Sequence, residues 1–199
     1  MSFSQQKFEN MTDLLRGCRT YRRFTQEPVP EEVLRQALDN ARTANCSANA
    51  QPLRYVVVSS PDMVAKMQPL VKWAAMLPPE LGTPKEGEQP TAFVAISKTS
   101  GANPFSDIDL GLSAHALIAT AWEAGVGSCL MGSIMKKSIT ELLEIPEDEE
   151  LRIVIALGYP SHESTLVDVP ADGSLAYYLD DERNYYVPKR PMEEIARFV

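Results

Sequence analysis

A layered α/β or α+β domain with a central sheet is the fold class this sequence predicts, and three observations carry it. Short apolar, β-branched runs recur at "RYVVVSS", "TAFVAIS" and "ELRIVIALGYP". Stretches of helical period lie between them. One long stretch, "FSDIDLGLSAHALIATAWEAG", is apolar almost all round, as a helix in the middle of a fold must be. The 199 residues suit one domain, or one domain with an arm, and 44% hydrophobic with 23% charged residues is ordinary for a soluble globular chain.

Taken in order, residues 8–18 read as a short helix leading into "GCRTYRRF". "VPEEVLRQALDNARTA" is a strong helix. Pro30 sits near its first turn, followed by Glu31 and Glu32, and Val33, Leu34, Ala37, Leu38 and Ala41 share one face. "RYVVVSS" is a strand whose run Val56 to Val58 implies burial on both faces. "PDMVAKMQPLVKWAAM" starts as a helix that Pro69 breaks or kinks. "PPELGTPKEGEQP", residues 78–90, is a loop long enough to be a functional lid or simply disordered.

"TAFVAIS" is a second buried strand, and the long central helix after it ends at Gly125. "VGSCLMG" is a short extended segment, "KKSITELLEI" a helix, and "ELRIVIALGYP" a third strong strand. The tail, residues 161–199, has no helical period and gathers Tyr177, Tyr178, Tyr185 and Tyr186. A tail so long and aromatic is expected to wrap over its own domain or over a partner subunit.

Charge and composition exclude several function classes. The 19 Lys+Arg against 27 Asp+Glu leave a net charge of −8, which argues against nucleic-acid binding and against docking on anionic membranes. "MSFSQQKFENMTDLL" has no apolar h-region, so no signal peptide is expected, and "LGLSAHALIATAW" is too short to span a bilayer. Cys18, Cys46 and Cys129 are odd in number, widely spaced and form no C-x-x-C. They predict a reduced, cytoplasmic setting with no disulfide framework and no zinc site. With only His115 and His162, a His-rich metal site or a Ser-His-Asp triad has little to work with, and no metal site is expected.

Against this acidic background, Arg19, Arg22 and Arg23 stand together. Their plain reading is a solvated helix end. Tyr21 and Phe24 are interleaved with them, however, and a turn between helices would aim guanidinium and backbone N–H groups at one anion, with forks that match phosphate oxygens. Lys189 and Arg190, in "YVPKRPMEEI", form a second basic pair that could clamp the same phosphate if the tail wraps back.

"CSANAQPLRYVVV" gathers Ser47, Asn49 and Gln51 before a strand. It reads as an ordinary loop, or as amides and hydroxyls converging on a polar heterocycle. Gly125, Gly127 and Gly132 are spaced G-x-G-x4-G after a helix, which fails the dinucleotide fingerprint; they could let backbone N–H groups approach a planar ligand. The acids of "TELLEIPEDEE" read as a solvated face without a general acid/base role.

These pieces, in this order, resemble the nitroreductase family of FMN-dependent oxidoreductases. "CRTYRRF" is similar to the family's R-R-S-x-R-x-F, and "SANAQPLRYVVV" to its S-x-N-x-Q-P-W-x-F-x-V-V. "DIDLGLSAHALIATAWEAGVGSCLMGSI" resembles its central helix and following glycine segment, and "VIALGYP" and "PKRPMEEI" its late strand and C-terminal basic motif. The likeness covers nearly the whole chain.

The resemblance implies an α+β domain over residues 1–199, with a central mixed sheet flanked by helices. It implies an intertwined homodimer whose C-terminal arm, residues 161–199, embraces the partner. FMN would be bound where the two chains meet. Arg19, Thr20 and Arg22 would lie near its phosphate and pyrimidine edge, and Lys189 and Arg190 would complete the phosphate clamp. Ser47 and Asn49, with Cys46 beside them, would come from the other subunit, and Gln51 would lie close by. Met131 and Gly132 would pass along the ring system, with a backbone N–H directed at N5.

The implied activity is hydride transfer from NAD(P)H, by ping-pong exchange, to a small acceptor such as a nitroaromatic, quinone or enone. The flavin would carry the chemistry, with no catalytic side chain assigned, and Arg19 is the candidate cation for the N1–C2=O edge. Residues 78–90, Phe105 and Trp73 are the expected pocket rim. The same scaffold also supports dehalogenation, flavin fragmentation and azoline oxidation, or a non-enzymatic flavin-binding redox sensor, or a cofactor-free structural dimer. Two departures from the family pattern stand out: Cys18 replaces its first arginine, and Leu53 the Trp after Q-P.

Overall fold

The computed structural model describes residues 8–74, 76–101 and 103–199. The first seven residues, which form part of the stretch read as lacking a signal peptide, lie outside the described residues. The chain runs α1 (Met11–Gly17), α2 (Glu31–Arg42), β1 (Leu53–Val58), α3 (Pro61–Met67), α4 (Pro79–Gly82), β2 (Ala92–Thr99) and α5 (Ser106–Glu123). It continues through β3 (Gly127–Met131), α6 (Lys136–Leu142), β4 (Glu149–Gly158), β5 (Ser164–Asp168), β6 (Tyr178–Leu179), β7 (Tyr185–Lys189) and α7 (Met192–Ile195).

β2 is the strand around which the layers form. Successive side chains point to opposite faces of a sheet. Val94 and Ile96 pack with Leu34, Ala37 and Ala41 of α2 and Ala114, Leu117 and Ala121 of α5. Phe93 and Ala95 pack on the other side with Met67 of α3 and Ile139 of α6. Both faces are therefore covered, and the apolar run "AFVAI" follows from that double burial.

The four strands lie in the order β1-β2-β4-β3, and every ladder is antiparallel. This corrects the expected mixed sheet for the single chain. α5 carries the chain from β2 to β3, which point the same way, but β4 inserts between them and runs against both. β1 corrects a second expectation. It is an edge strand with no strand beyond it among the described residues, so only Val58 is fully buried and Val57 stays partly exposed.

α5 buries Asp109, Leu110, Ser113, Ala114, Leu117 and Ala121, and Gly125 leaves it with φ 77°, the left-handed conformation that suits glycine. Its opposite face is apolar yet open: Phe105, Ile108 (60% exposed) and Leu112. Within the 78–90 loop, α4 forms a short helical turn, and the loop's far end is tied down. Glu88 accepts the Phe24 N–H on its carbonyl (2.9 Å) and pairs with Arg183 (2.9 Å). Trp73, expected at a pocket rim, packs inside against Phe24.

Residues 20–25 are docked almost entirely through backbone. Tyr21 N–H donates to the Ser128 carbonyl (2.8 Å), Thr25 N–H to Tyr159 (2.8 Å), and Ser161 N–H to the Arg23 carbonyl (3.1 Å). The approach is close enough to demand glycine at two places. A Cβ on Gly127 would lie 2.6 Å from Pro160, and one on Gly158 would lie 2.9 Å from Phe24. Gly127 therefore serves the packing of Tyr21 and Pro160.

The tail returns to this segment. β5 and β7 pair in parallel and β6 adds on antiparallel. A line of ring contacts then runs from the core to the tail: Trp122–Tyr21 stacked (5.0 Å), Tyr21–His162 edge-on (5.4 Å), and His162–Tyr185 (5.0 Å) and Tyr185–Tyr177 (5.9 Å) tilted. Residues through β7 are thus engaged with their own chain, and Met192, Ile195, Phe198 and Val199 stand exposed beyond it.

His162 is buried in this stack beside Arg23, Arg22 and Arg183, and burial, reinforced by those cations, pushes its pKa from 6.5 down to about 3. Between those values the unfolded chain takes a proton that the folded chain refuses. Stability therefore falls as pH drops from about 6.5 toward 3, by ~1.4 kcal/mol per pH unit from this group. Urea denaturation at pH 7.5 and 5.5 should show that loss, and His162→Phe should remove this component of the slope while leaving the aromatic stack in place.

Candidate functional site

The three arginines reach three different ends. α1 is capped at its start by Asn10, whose side chain accepts the Asp13 N–H (3.1 Å). At its other end Arg19 turns back and donates to the Leu15 carbonyl (2.7 Å), so its guanidinium caps the helix, as the plain reading of the motif had it. Arg23 is buried and donates to the Arg183 carbonyl (2.6 Å); burial, then the nearby Arg183, lowers its pKa. Arg22 lies between them in sequence and has no carboxylate partner among the described residues. Its guanidinium carbon sits 4.7 Å from the Tyr177 ring centroid and 5.0 Å from that of Tyr185.

Thr20 is exposed and bridges in parallel to Ser128 on β3. This sets the arginine segment along the edge of the strand that ends in Met131 and Gly132. Met131 is buried in the sheet's second core layer, so only its backbone is free to meet a ligand. Gly132 is exposed, with nothing within 4 Å of where a Cβ would stand. Cys18, in place of an arginine, faces the Ile118 carbonyl (4.0 Å), and burial raises its thiol pKa.

Residues 46–51 form the second element. The turn holds Ala48, Asn49 and Gln51 at φ 51°, 53° and 48°, a conformation that costs non-glycine residues energy. What holds it is Asp109, a carboxylate only 3% exposed on α5. It accepts the Ser47 N–H (2.8 Å) and the Cys46 thiol (3.5 Å), and the Cys46 sulfur in turn accepts the Gln51 N–H (3.2 Å). The Gln51 amide donates to the Asn49 side chain (3.1 Å) at the exposed tip. Asp109 was not singled out by the sequence reading; it shares the first turn of α5 with Asp107, and burial, which the sequence does not print, is what separates the two.

The two elements do not meet within one chain. The turn is anchored at Asp109 and the arginine segment touches α5 at Ile118, and nine residues of helix span about 14 Å. Lys189 and Arg190 do not bridge the two. Lys189 is exposed at the end of β7, opposite Asp168, and Arg190 pairs with Glu194 on α7 (2.9 Å). The tail does return to the arginine cluster, but at Tyr177 and Tyr185, whose part in the site the sequence reading did not assign. Among the described residues no group of His, Cys, Asp and Glu could hold a metal, and no helix is long and apolar enough to cross a membrane.

An α+β domain with an unpaired guanidinium, an exposed hydroxyl and an open glycine along one sheet edge is suited to an anionic, planar ligand. The family model for the nitroreductase family matches residues 15–159, and the chain belongs to that family. It is 24% identical over 189 residues to the iodotyrosine deiodinase of Drosophila melanogaster, covering 81% of this chain and 66% of that protein, just under two thirds of its length. Among solved structures, a nitroreductase family protein from Streptococcus pneumoniae TIGR4 superposes with a TM-score of 0.68 at 18% identity, over 96% of this chain and all of the other. Oxidized iodotyrosine deiodinase bound to FMN and 3-iodo-L-tyrosine superposes with a TM-score of 0.64 at 22% identity, over 76% and 90% of the two chains.

Removing the anchor should loosen the turn. Asp109→Ala leaves the Ser47 N–H and Cys46 thiol without an acceptor and should cost about 1–3 kcal/mol in urea denaturation. Hydrogen exchange at the Ser47 amide should rise, and Asp109→Asn should restore part of both.

Proposed function

We propose that this chain is an FMN-dependent oxidoreductase that takes hydride from NAD(P)H and reduces small electrophilic acceptors such as nitroaromatics and quinones, the two substrates using one site in turn. The observation that carries it is the Arg22 guanidinium, fixed beside β3 with no counterion among the described residues, in a fold of the nitroreductase family. FMN, when bound, supplies the acceptance and donation of the electron pair.

The chain's own residues supply the rest. Arg22 offers positive charge to the flavin edge that gains electrons and Thr20 a hydroxyl; this replaces Arg19, whose side chain is committed to the helix end. The exposed backbone at Gly132 lets a flat ring approach. Lys189 and Arg190 lie exposed beyond the tail's contacts with Arg22 and would join the phosphate only on its binding, Arg190 by exchanging Glu194 for it.

The site is shared by two copies. One chain holds its amide turn about 14 Å from its arginine segment, measured along α5. A second copy packed on the open face of Phe105, Ile108 and Leu112 would set its own Ser47 and Asn49 against Arg22. The exposed segment Ile195–Val199 has the apolar residues to pair with the free edge of the partner's β1, and a parallel strand there would make the sheet mixed across the dimer.

A second reading, reductive dehalogenation, is favoured by the deiodinase relatives. There, two electrons and a proton would replace a carbon–iodine bond by carbon–hydrogen and release iodide. Anaerobic reduction by NADH or NADPH, with turnover of a quinone or nitro compound, supports the first reading. Iodide release from 3-iodotyrosine under a chemical reductant, with no oxidation of either nicotinamide, supports the second. A protein that is colourless and refuses added FMN rejects both.

Arg22→Ala should weaken FMN binding by about tenfold or more, as loss of a charge-assisted contact implies. The protein should stay dimeric by sedimentation. Ile108→Asp should yield a folded monomer that retains no flavin.

A further inference from the structure

We propose that Tyr177 and Tyr185, in the C-terminal tail, are positioning residues for Arg22, and that through it they set flavin affinity and reduction potential. The proposal rests on the flavin reading above and extends it to two residues that reading does not use.

A guanidinium can be held in two ways. A carboxylate would fix it and cancel its charge, whereas aromatic faces fix it through their quadrupoles and leave its charge free for a ligand. Arg22 is held in the second way. Both ring centroids lie within 5.0 Å of its guanidinium carbon, and among the described residues its Nε has no partner.

The walls are themselves rigid. Tyr185 is 1% exposed, and its N–H donates to the Glu163 carbonyl (2.9 Å). It pairs with Ser164 on β5 and with Leu179 on β6. Its ring is backed by His162 (5.0 Å) and meets Tyr177 at 5.9 Å. A free arginine would give up side-chain entropy on meeting a ligand; one already caged gives up less. The tail thus presents an ordered, uncompensated cation at the edge of β3, where the reduced flavin is the more negative form.

The test compares wild type with Tyr177→Leu, Tyr185→Leu and both Tyr→Phe variants, measuring the FMN dissociation constant by fluorescence quenching and the midpoint potential against indicator dyes. The Phe variants keep an aromatic face and should stay within about twofold of wild type. Each Leu variant should bind FMN about tenfold more weakly and shift the potential to more negative values. Tyr177 is half-buried, so its Leu variant keeps the test open if Tyr185→Leu fails to fold.

Leu variants that are folded and dimeric with unchanged affinity and potential would overturn the proposal. Tighter FMN binding would also do so, because the rings would then be withdrawing Arg22 from the flavin. Flavin-free protein gives an independent readout. The Arg22 Nε–H resonance, assigned by its loss in Arg22→Lys, should be shifted by ring current, and the shift should vanish in Tyr177→Leu. An unshifted resonance sinks the cage whatever the flavin does, whereas a shifted resonance in a protein that takes no FMN sinks the flavin reading alone.

Discussion

The site depends on one backbone pairing, the docking of residues 20–25 onto the ends of β3 and β4. Tyr21 N–H on Ser128 and Thr25 N–H on Tyr159 fix the register of the arginine segment against the sheet. From that register follow the glycines at 127 and 158, which leave room for the Tyr21 and Phe24 rings. It also sends successive side chains in different directions: Tyr21 toward Trp122, Arg22 toward the tail tyrosines, and Arg23 into the junction with Arg183. The same hydrogen bonds that order the chain thereby sort its charges.

That sorting meets a real electrostatic difficulty. Three cationic side chains, Arg22, Arg23 and Arg183, converge where the ion pair available is Arg183 with Glu88. The structure relieves the crowding with neutral groups. His162 stays uncharged among them, the Arg183 carbonyl accepts from Arg23, and aromatic faces hold Arg22. A fully compensated cluster would be more stable but would have no charge to offer a ligand. The cluster thus retains positive charge within a chain of net charge −8.

α5 serves as the ruler of the site. Its inner face carries Asp109, which holds the strained amide turn, and about two and a half turns further along it meets the arginine segment at Ile118. Its outer face leaves Ile108 and Leu112 open to a partner surface. One helix therefore stabilises the core, sets the separation of the amide turn from the arginine segment, and leaves an apolar stripe open on its outer face.

The sequence by itself determined the layered fold class and most of the helices and strands, because those depend on local periodicity. The run "AFVAI" needs two covered faces, and Gly125 ends a helix by its own conformational freedom. It also showed that basic residues in an acidic chain and amides before a strand were unusual. Only the tertiary structure decided what each did, because partners arrive from far along the chain. Arg19 and Arg22 read alike in sequence, yet one caps a helix and the other lies in a cage built about 160 residues later. β4, inserted between β2 and β3, made the chain's own sheet antiparallel, and an edge position left β1 partly exposed. Long-range pairing has no local sequence signal, since the entropy of closing the intervening chain is offset only by contacts that exist once the fold is complete.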